Sequence, residues 1–214
     1  MLNQPLVRAF IASAHKRSLP PKHTVIQAGD EPQSLYLILE GSVSLLLEDN
    51  SGREIVLAYL NPGEFFGESS LFAGQHLDRS IVRTRTPALV AELSYPALRT
   101  FVENNPAFMF DVAGQLARRL GDLSRRVADL AFLDVAGRLT HALLDLSKKP
   151  DAVPHPRGVV VRISRMELAR HVGCSREMAG RALKKLRDGG LVKDQGRNIL
   201  IYGTGPSLAM ANAA

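Results

Sequence analysis

The sequence predicts an α+β chain: an antiparallel barrel or sandwich, then one long helix, then a winged helix-turn-helix. Three observations carry that prediction. Residues 22–95 run as short alternating segments separated by turn residues, the texture of antiparallel strands. Residues 111–134 hold apolar side chains at Ala113, Leu116, Leu120, Leu123, Val127 and Leu130, a 3-4-3-4-3 spacing. Residues 166–186, MELARHVGCSREMAGRALKKL, place two short amphipathic helices around a Gly-Cys turn.

Residues 1–18 read as a short helix or two, ended by Pro20-Pro21. Strands follow in HTVIQ, SLYLILE, SVSLLLED, EIVLAYL, IVRTRT and ALVAELS. Gly29-Asp30, Gly41, Asp49-Asn50-Ser51-Gly52, Asn61-Pro62-Gly63 and Gly74 supply the turns. Residues 95–105 read as a short helix, with Asn105-Pro106 as a boundary. In residues 111–134 alternating steps of 3 and 4 put the apolar side chains on one narrow stripe, the seam of a paired helix. An amphipathic helix packed only on its own domain shows a wider stripe. Arg118, Arg119, Asp122, Arg125, Arg126 and Asp129 flank the seam and are expected in water. Gly114 and Gly121 cost about 1 kcal/mol each in a helix interior and point to close approach or tertiary support.

The stripe stops at Leu133-Asp134, the expected hinge. Residues 135–147 form another amphipathic helix; 148–158, with three prolines, reads as a loop; and 159–163 alternates as a strand. Ser164 to Glu167 fits a Ser-x-x-Glu capping box. Ser175 caps a second helix that ends at Gly189-Gly190, and Gln195-Gly196-Arg197 joins two strands into a hairpin. Leu168 and Val172 of the first helix and Met178, Leu183 and Leu186 of the second are expected to face inward. The resulting division is 1–107, 108–134 and 135–214.

Charge separates these parts. Residues 135–214 carry 14 Lys/Arg against 6 Asp/Glu, whereas residues 1–134 carry 13 against 15. A basic C-terminal part beside a slightly acidic remainder points to a polyanion met by the C-terminal part alone. On the second helix Arg176, Glu177 and Arg181 project together near the N-terminal end. Arginine suits the O6/N7 edge of guanine, and glutamate can accept from cytosine N4. Lys184, Lys185, Arg187 and the capping Ser175 suit phosphates, and Lys193 and Arg197 fall on the hairpin, the expected wing. The single Cys174 excludes an internal disulfide framework and a cysteine-clustered metal or iron–sulfur site within one chain, and reads as a small turn residue. Apolar runs such as VSLLL at 43–47 are far too short to span a membrane. The first residues lack the order of a signal peptide, so a cytoplasmic location is expected. No His/Asp/Ser constellation or metal-ligand spacing supports catalysis or a bound metal, and no cofactor is expected.

A second candidate site is GEFFGESSLFAGQHLDRS, 63–80. Gly67-Glu68, with Ser69 beside them, followed by Arg79-Ser80 outlines a phosphate-and-sugar cradle. Arg79 would neutralise a phosphate, Ser80 and backbone N–H groups would bond it, and Glu68 would accept from a sugar hydroxyl.

Taken in order, barrel, GE…RS loop, long helix and winged helix-turn-helix resemble the cyclic-AMP receptor protein and fumarate-nitrate regulator family of bacterial transcription factors. The resemblance covers roughly residues 14–204. It lies closest to the cyclic-AMP branch in GSVS (41–44), ARRL (117–120), LAFLDV (130–135), VGCSRE (172–177) and YGT (202–204). The iron–sulfur branch needs an N-terminal cysteine cluster that this chain lacks, and a lone His76 is a poor basis for haem sensing. The resemblance implies a β-roll holding the ribose-phosphate ring of a cyclic nucleotide at Gly67, Glu68, Arg79 and Ser80, with Ser124 reaching the base across a dimer. It further implies that Arg176, Glu177 and Arg181 read palindromic TGTGA-like double-stranded sites. His15, Arg17 and the 151–158 loop resemble surfaces that touch RNA polymerase, although Pro154 stands where the family has threonine. Leu123 replaces a threonine whose hydroxyl bonds the adenine amino group in the cyclic-AMP branch. The effector is therefore open between cyclic AMP, another nucleotide such as cyclic di-GMP, and none. A regulatory subunit acting on a partner enzyme is the competing function, against which the basic 175–187 helix argues.

Overall fold

The computed structural model describes residues 2–73 and 80–203, which form two compact units, Met1–Leu123 and Ser124–Ala214. In the first unit α1 (Pro5–Ser13) precedes β1 (His15–Leu19), β2 (Thr24–Ile26), β3 (Ser34–Glu40), β4 (Val43–Glu48) and β5 (Glu54–Leu60). Then come β6 (Phe65–Phe66), α2 (Ser69–Ala73), β7 (Ser80–Thr84), β8 (Ala88–Ser94), α3 (Tyr95–Asn104) and α4 (Phe108–Phe132). The strands form two antiparallel four-stranded sheets, ordered β1-β8-β3-β6 and β2-β7-β4-β5. Tyr36, Ile38 and Val90 of the first sheet and Val43, Leu60 and Val82 of the second belong to one buried cluster. Alternation sends Leu35, Leu37, Ala91 and Leu93 into a second cluster with Val7, Phe10, Leu98, Phe101, Phe108 and Val112 of the helices. Phe10 anchors it, stacked on Phe108 at 5.3 Å and edge-on to Phe65 at 5.4 Å.

The N-terminal expectation needs correcting. Only α1 is helical, and residues 15–19 form β1 instead, paired along β8 from His15↔Glu92 to Leu19↔Ala88. Partnering on the edge of β8 overrides a segment whose own pattern reads as neither period. The Arg17 guanidinium donates to Glu92 at 2.7 Å, and the Tyr36 hydroxyl donates to the same carboxylate at 3.0 Å. Burial, then the neighbouring Glu92 charge, pushes the Tyr36 phenol up to about 12. Burial works against the charged form of Glu92, but the bonds from Arg17 and Tyr36 outweigh it and hold the carboxyl below its ordinary range.

Helix α4 meets its own domain through Phe108, Val112 and Gln115, its buried residues. Gln115 is a buried polar side chain with both ends used: Oε1 accepts from Phe65 N–H at 2.9 Å and Nε2 donates to Gly63 O at 2.9 Å. The two-residue β6, too short to be legible in sequence, is thereby fixed to the helix.

In the second unit α4 ends at Phe132 and α5 (Val135–Ser147) begins, with the Asp134 side chain accepting from Gly137 N–H at 2.8 Å as its cap. Next come β9 (Val153–His155), β10 (Gly158–Arg162), α6 (Arg165–Val172), α7 (Arg176–Asp188), β11 (Val192–Gln195) and β12 (Asn198–Tyr202). The sheet runs β11-β12-β10-β9. Part of the expected 148–158 loop is thus strand, with Pro154 opposite Val159 on the outer edge, where a missing N–H is tolerated. Leu139, Leu143, Leu168, Leu183 and Ile199 are among the buried residues. No helix among the described residues is long and apolar enough to cross a membrane.

Gln115→Leu keeps the volume but strands the Phe65 N–H and the Gly63 carbonyl. We expect the first unit to lose about 1–3 kcal/mol for each stranded group, seen as an earlier urea transition in tyrosine fluorescence. An unchanged midpoint would show that water replaces both bonds without cost.

Candidate nucleotide cradle and nucleic-acid interface

The cradle begins where β6 ends. Gly67 has φ +84°, and a Cβ there would lie 2.7 Å from the Ser34 carbonyl oxygen and 3.0 Å from the Tyr36 ring, so glycine is required. The ring of Tyr36 stacks on Phe66 at 4.8 Å, and the Tyr95 hydroxyl donates to the Gly67 carbonyl at 2.5 Å. The turn is therefore held from several sides before Glu68 and Ser69, where α2 starts. Arg119 lies one helical turn after Gln115, on the same face of α4. It donates from Nη1 to Glu68 Oε1 at 2.7 Å and from Nη2 to the Phe65 carbonyl at 2.7 Å. Side-chain exposure is only 12% for Arg119 and 13% for Glu68.

This overturns the expectation that Arg119 stays in water. It was missed because the 3-4 stripe labels everything beside the seam as solvent-facing, whereas this flank lies against the chain's own cradle. A cue was available in Gln115 and Arg119, four residues apart and both able to bond backbone carbonyls. Arg126 departs from the expectation too, donating to the His171 carbonyl in the second unit.

The other oxygen of Glu68, Oε2, is buried and has no hydrogen-bond partner among the described residues. An orphaned acceptor of this kind costs about 1–3 kcal/mol, and a ligand hydroxyl would satisfy it. A ribose fits that requirement. Ser80 opens β7 opposite Leu47, half-buried. Arg79 and His76 lie outside the described residues. Leu123 is half-buried at the end of the first unit, and Ser124 is exposed at the start of the second.

In the second unit the capping box on α6 is complete: Glu167 N–H donates to Ser164 Oγ, and Ser164 N–H donates to Glu167 Oε2 at 2.9 Å. Gly173 closes α6 in the left-handed region at φ 66°, turning the chain into α7. Ser175 caps α7 by accepting from Met178 N–H, which leaves its hydroxyl proton free to donate elsewhere. Burial pushes the Cys174 thiol up, so it stays protonated at neutral pH, as a packed turn residue should. Ala179, Ala182, Leu183 and Leu186 are the buried face of α7, while Ser175, Arg176, Glu177, Arg181 and Lys184 are all exposed. Met178 corrects the inward expectation: it is 38% exposed, and Ala179 takes the inner position instead. The hairpin carries exposed Lys193 on β11 and exposed Arg197 in its turn, and Arg165 donates to Asp194 at 2.6 Å. An exposed basic helix capped at its N-terminus, beside a basic hairpin, suits the edge and backbone of a nucleic-acid duplex.

A cyclic nucleotide-binding domain model matches residues 16–105, and a Crp-like helix-turn-helix domain model matches residues 137–202. The chain is 45% identical over 198 residues to the cAMP-activated global transcriptional regulator Vfr of Pseudomonas aeruginosa, covering 91% of this chain and 92% of Vfr. The chain belongs to the CRP/FNR family of transcription regulators. A second CRP/FNR relative, the cAMP-activated global transcriptional regulator CRP of Pasteurella multocida, is 42% identical over 200 residues, covering 94% of this chain and 96% of that one. The structure of the c-di-GMP responsive global regulator CLP of Xanthomonas campestris superposes with a TM-score of 0.86 at 43% identity, covering 93% of this chain and 99% of CLP. These CRP/FNR proteins are regulators, not enzymes, and the CLP structure shares the α+β order described above.

Arg119→Met leaves Glu68 buried without its cation and is expected to cost about 3–5 kcal/mol. Adding Glu68→Gln to the same chain should recover most of that loss in thermal unfolding. No recovery would mean that Arg119 acts only through the Phe65 carbonyl.

Proposed function

We propose that the chain is a homodimeric transcription regulator that pairs through residues 111–134, binds a cyclic nucleotide in the cradle and reads palindromic double-stranded DNA with α7. One observation supports it most. Leu120, Val127 and Leu130 of α4 are 67%, 64% and 47% exposed, while another face of the same helix carries Arg119 onto Glu68. Three apolar side chains bare at heptad spacing call for a second copy, so one helix carries both the ligand contact and the dimer seam. A nucleotide hydroxyl bonding Glu68 Oε2 alters how that carboxylate holds Arg119, and through α4 the pairing of the two copies. Two-fold pairing presents two α7 helices to successive major grooves, about 34–36 Å apart.

In the cradle Gly67 admits the close turn, Glu68 takes a ribose hydroxyl, and Ser69, Arg79 and Ser80 take the phosphate, with Leu123 and Ser124 toward the base. On α7, Arg176, Glu177 and Arg181 face base edges, with Ser175 and Lys184 on phosphates. Exposed His15 and the 151–158 segment are the surfaces proposed for RNA polymerase; Arg17 already spends a bond on Glu92.

Cyclic AMP is the first effector to test, because CRP and Vfr are cAMP-activated; cyclic di-GMP is the second, because CLP responds to it. Leu123 offers no hydrogen bond to a base. Leu123→Thr should raise selectivity for cyclic AMP over cyclic GMP by about fivefold, one hydrogen bond's worth, in titration calorimetry on nucleotide-free protein. Equal selectivity in both proteins would make Leu123 seam packing alone. Arg181→Ala should cost about 1–3 kcal/mol against one base pair per half-site in a competition assay, while binding to unrelated DNA changes little. Unchanged selectivity would move the reading face elsewhere.

A further inference from the structure

We infer that Met178 is a specificity residue that reads a thymine C5-methyl group in the major groove, an inference that rests on the proposed role of α7. The other large apolar side chains of α7, Leu183 and Leu186, are buried, and Met178 is the only large apolar residue that the helix exposes. At about 100° per residue it stands at the edge of the exposed arc, sharing a flank with Arg181 and Lys185 at i+3 and i+7. Its position in the first turn is fixed, because its own N–H is the group that Ser175 caps. The N-terminal turns of a recognition helix are the part that meets base edges. A thioether there has no hydrogen bond to give a base, so it discriminates by apolar contact. The thymine methyl is the apolar feature that the major groove offers. Arg176, Glu177 and Arg181 read polar edges, and Met178 adds the one feature they cannot recognise. The unbranched thioether can follow the methyl as the helix settles.

The experiment selects duplexes from a random-sequence pool with the full-length protein, in the presence of cyclic AMP, of cyclic di-GMP and of neither. Each thymine of the selected site is then replaced in turn by deoxyuridine, which removes the methyl and leaves every hydrogen-bonding group. The wild-type protein should lose about fourfold in affinity at one thymine per half-site, the effect of burying one methyl group. Met178→Ala and Met178→Gln should bind the thymine and uracil duplexes equally at that position while retaining the other base preferences. Wild-type binding indifferent to every replacement, or variants that keep the same methyl sensitivity, would overturn the assignment. Failure to select any sequence would instead sink the role of α7, and this inference with it.

Discussion

Two side chains on one face of α4 hold the loop on which the candidate ligand site depends. Gln115 bonds the Gly63 carbonyl and the Phe65 N–H, and Arg119, one turn later, bonds the Phe65 carbonyl and the Glu68 carboxylate. Between them they use backbone groups that a two-residue strand cannot pair by itself. They also set Glu68 with one oxygen on Arg119 and the other buried without a partner among the described residues. Pairing with β3 and the Tyr95 hydroxyl hold the backbone of this segment as well, but it is Arg119 that holds the Glu68 carboxylate. With these bonds together the Glu68 carboxylate is held in place, one oxygen on Arg119 and the other buried.

The same helix accounts for most of the chain's economy. Val112, Gln115 and Arg119 lie on the first unit, while Leu120 in that unit and Val127 and Leu130 in the second are exposed. That apolar face is largely exposed, which is why pairing through it is proposed. Gly114 and Gly121 weaken the helix. Its N-terminal half is fixed by packing on the first unit. Beyond the unit boundary, Arg126 holds the His171 carbonyl and Asp129 meets His141 at 3.0 Å, which ties the last turns to α5 and α6.

Much of the fold is legible in the chain. The strands 34–40, 54–60 and 88–94 are short apolar segments set between turn residues, and both caps of the helix-turn-helix stand in the sequence as Ser164-x-x-Glu167 and Ser175. Short elements escape, for a physical reason. β1, β6 and β9 are strands because another strand pairs with them, and neither their residues nor flanking turns mark them as such. Met178 escapes for a related reason: helical spacing assigns an apolar residue to the inner face, but a position at the face's edge goes in or out according to what packs there, and the small Ala179 fills that place.

The chain itself determined the order of its parts, the heptad stripe, the basic helix that follows Ser175 and the glycine of the turn after β6. Those are matters of periodicity, charge and backbone freedom, which are local. Tertiary structure alone decided that Arg119 bonds Glu68, that one Glu68 oxygen is buried without a partner among the described residues, and that Met178 faces out. Each depends on which surface lies opposite a side chain, and residues 68 and 119 meet only when 50 intervening residues have folded.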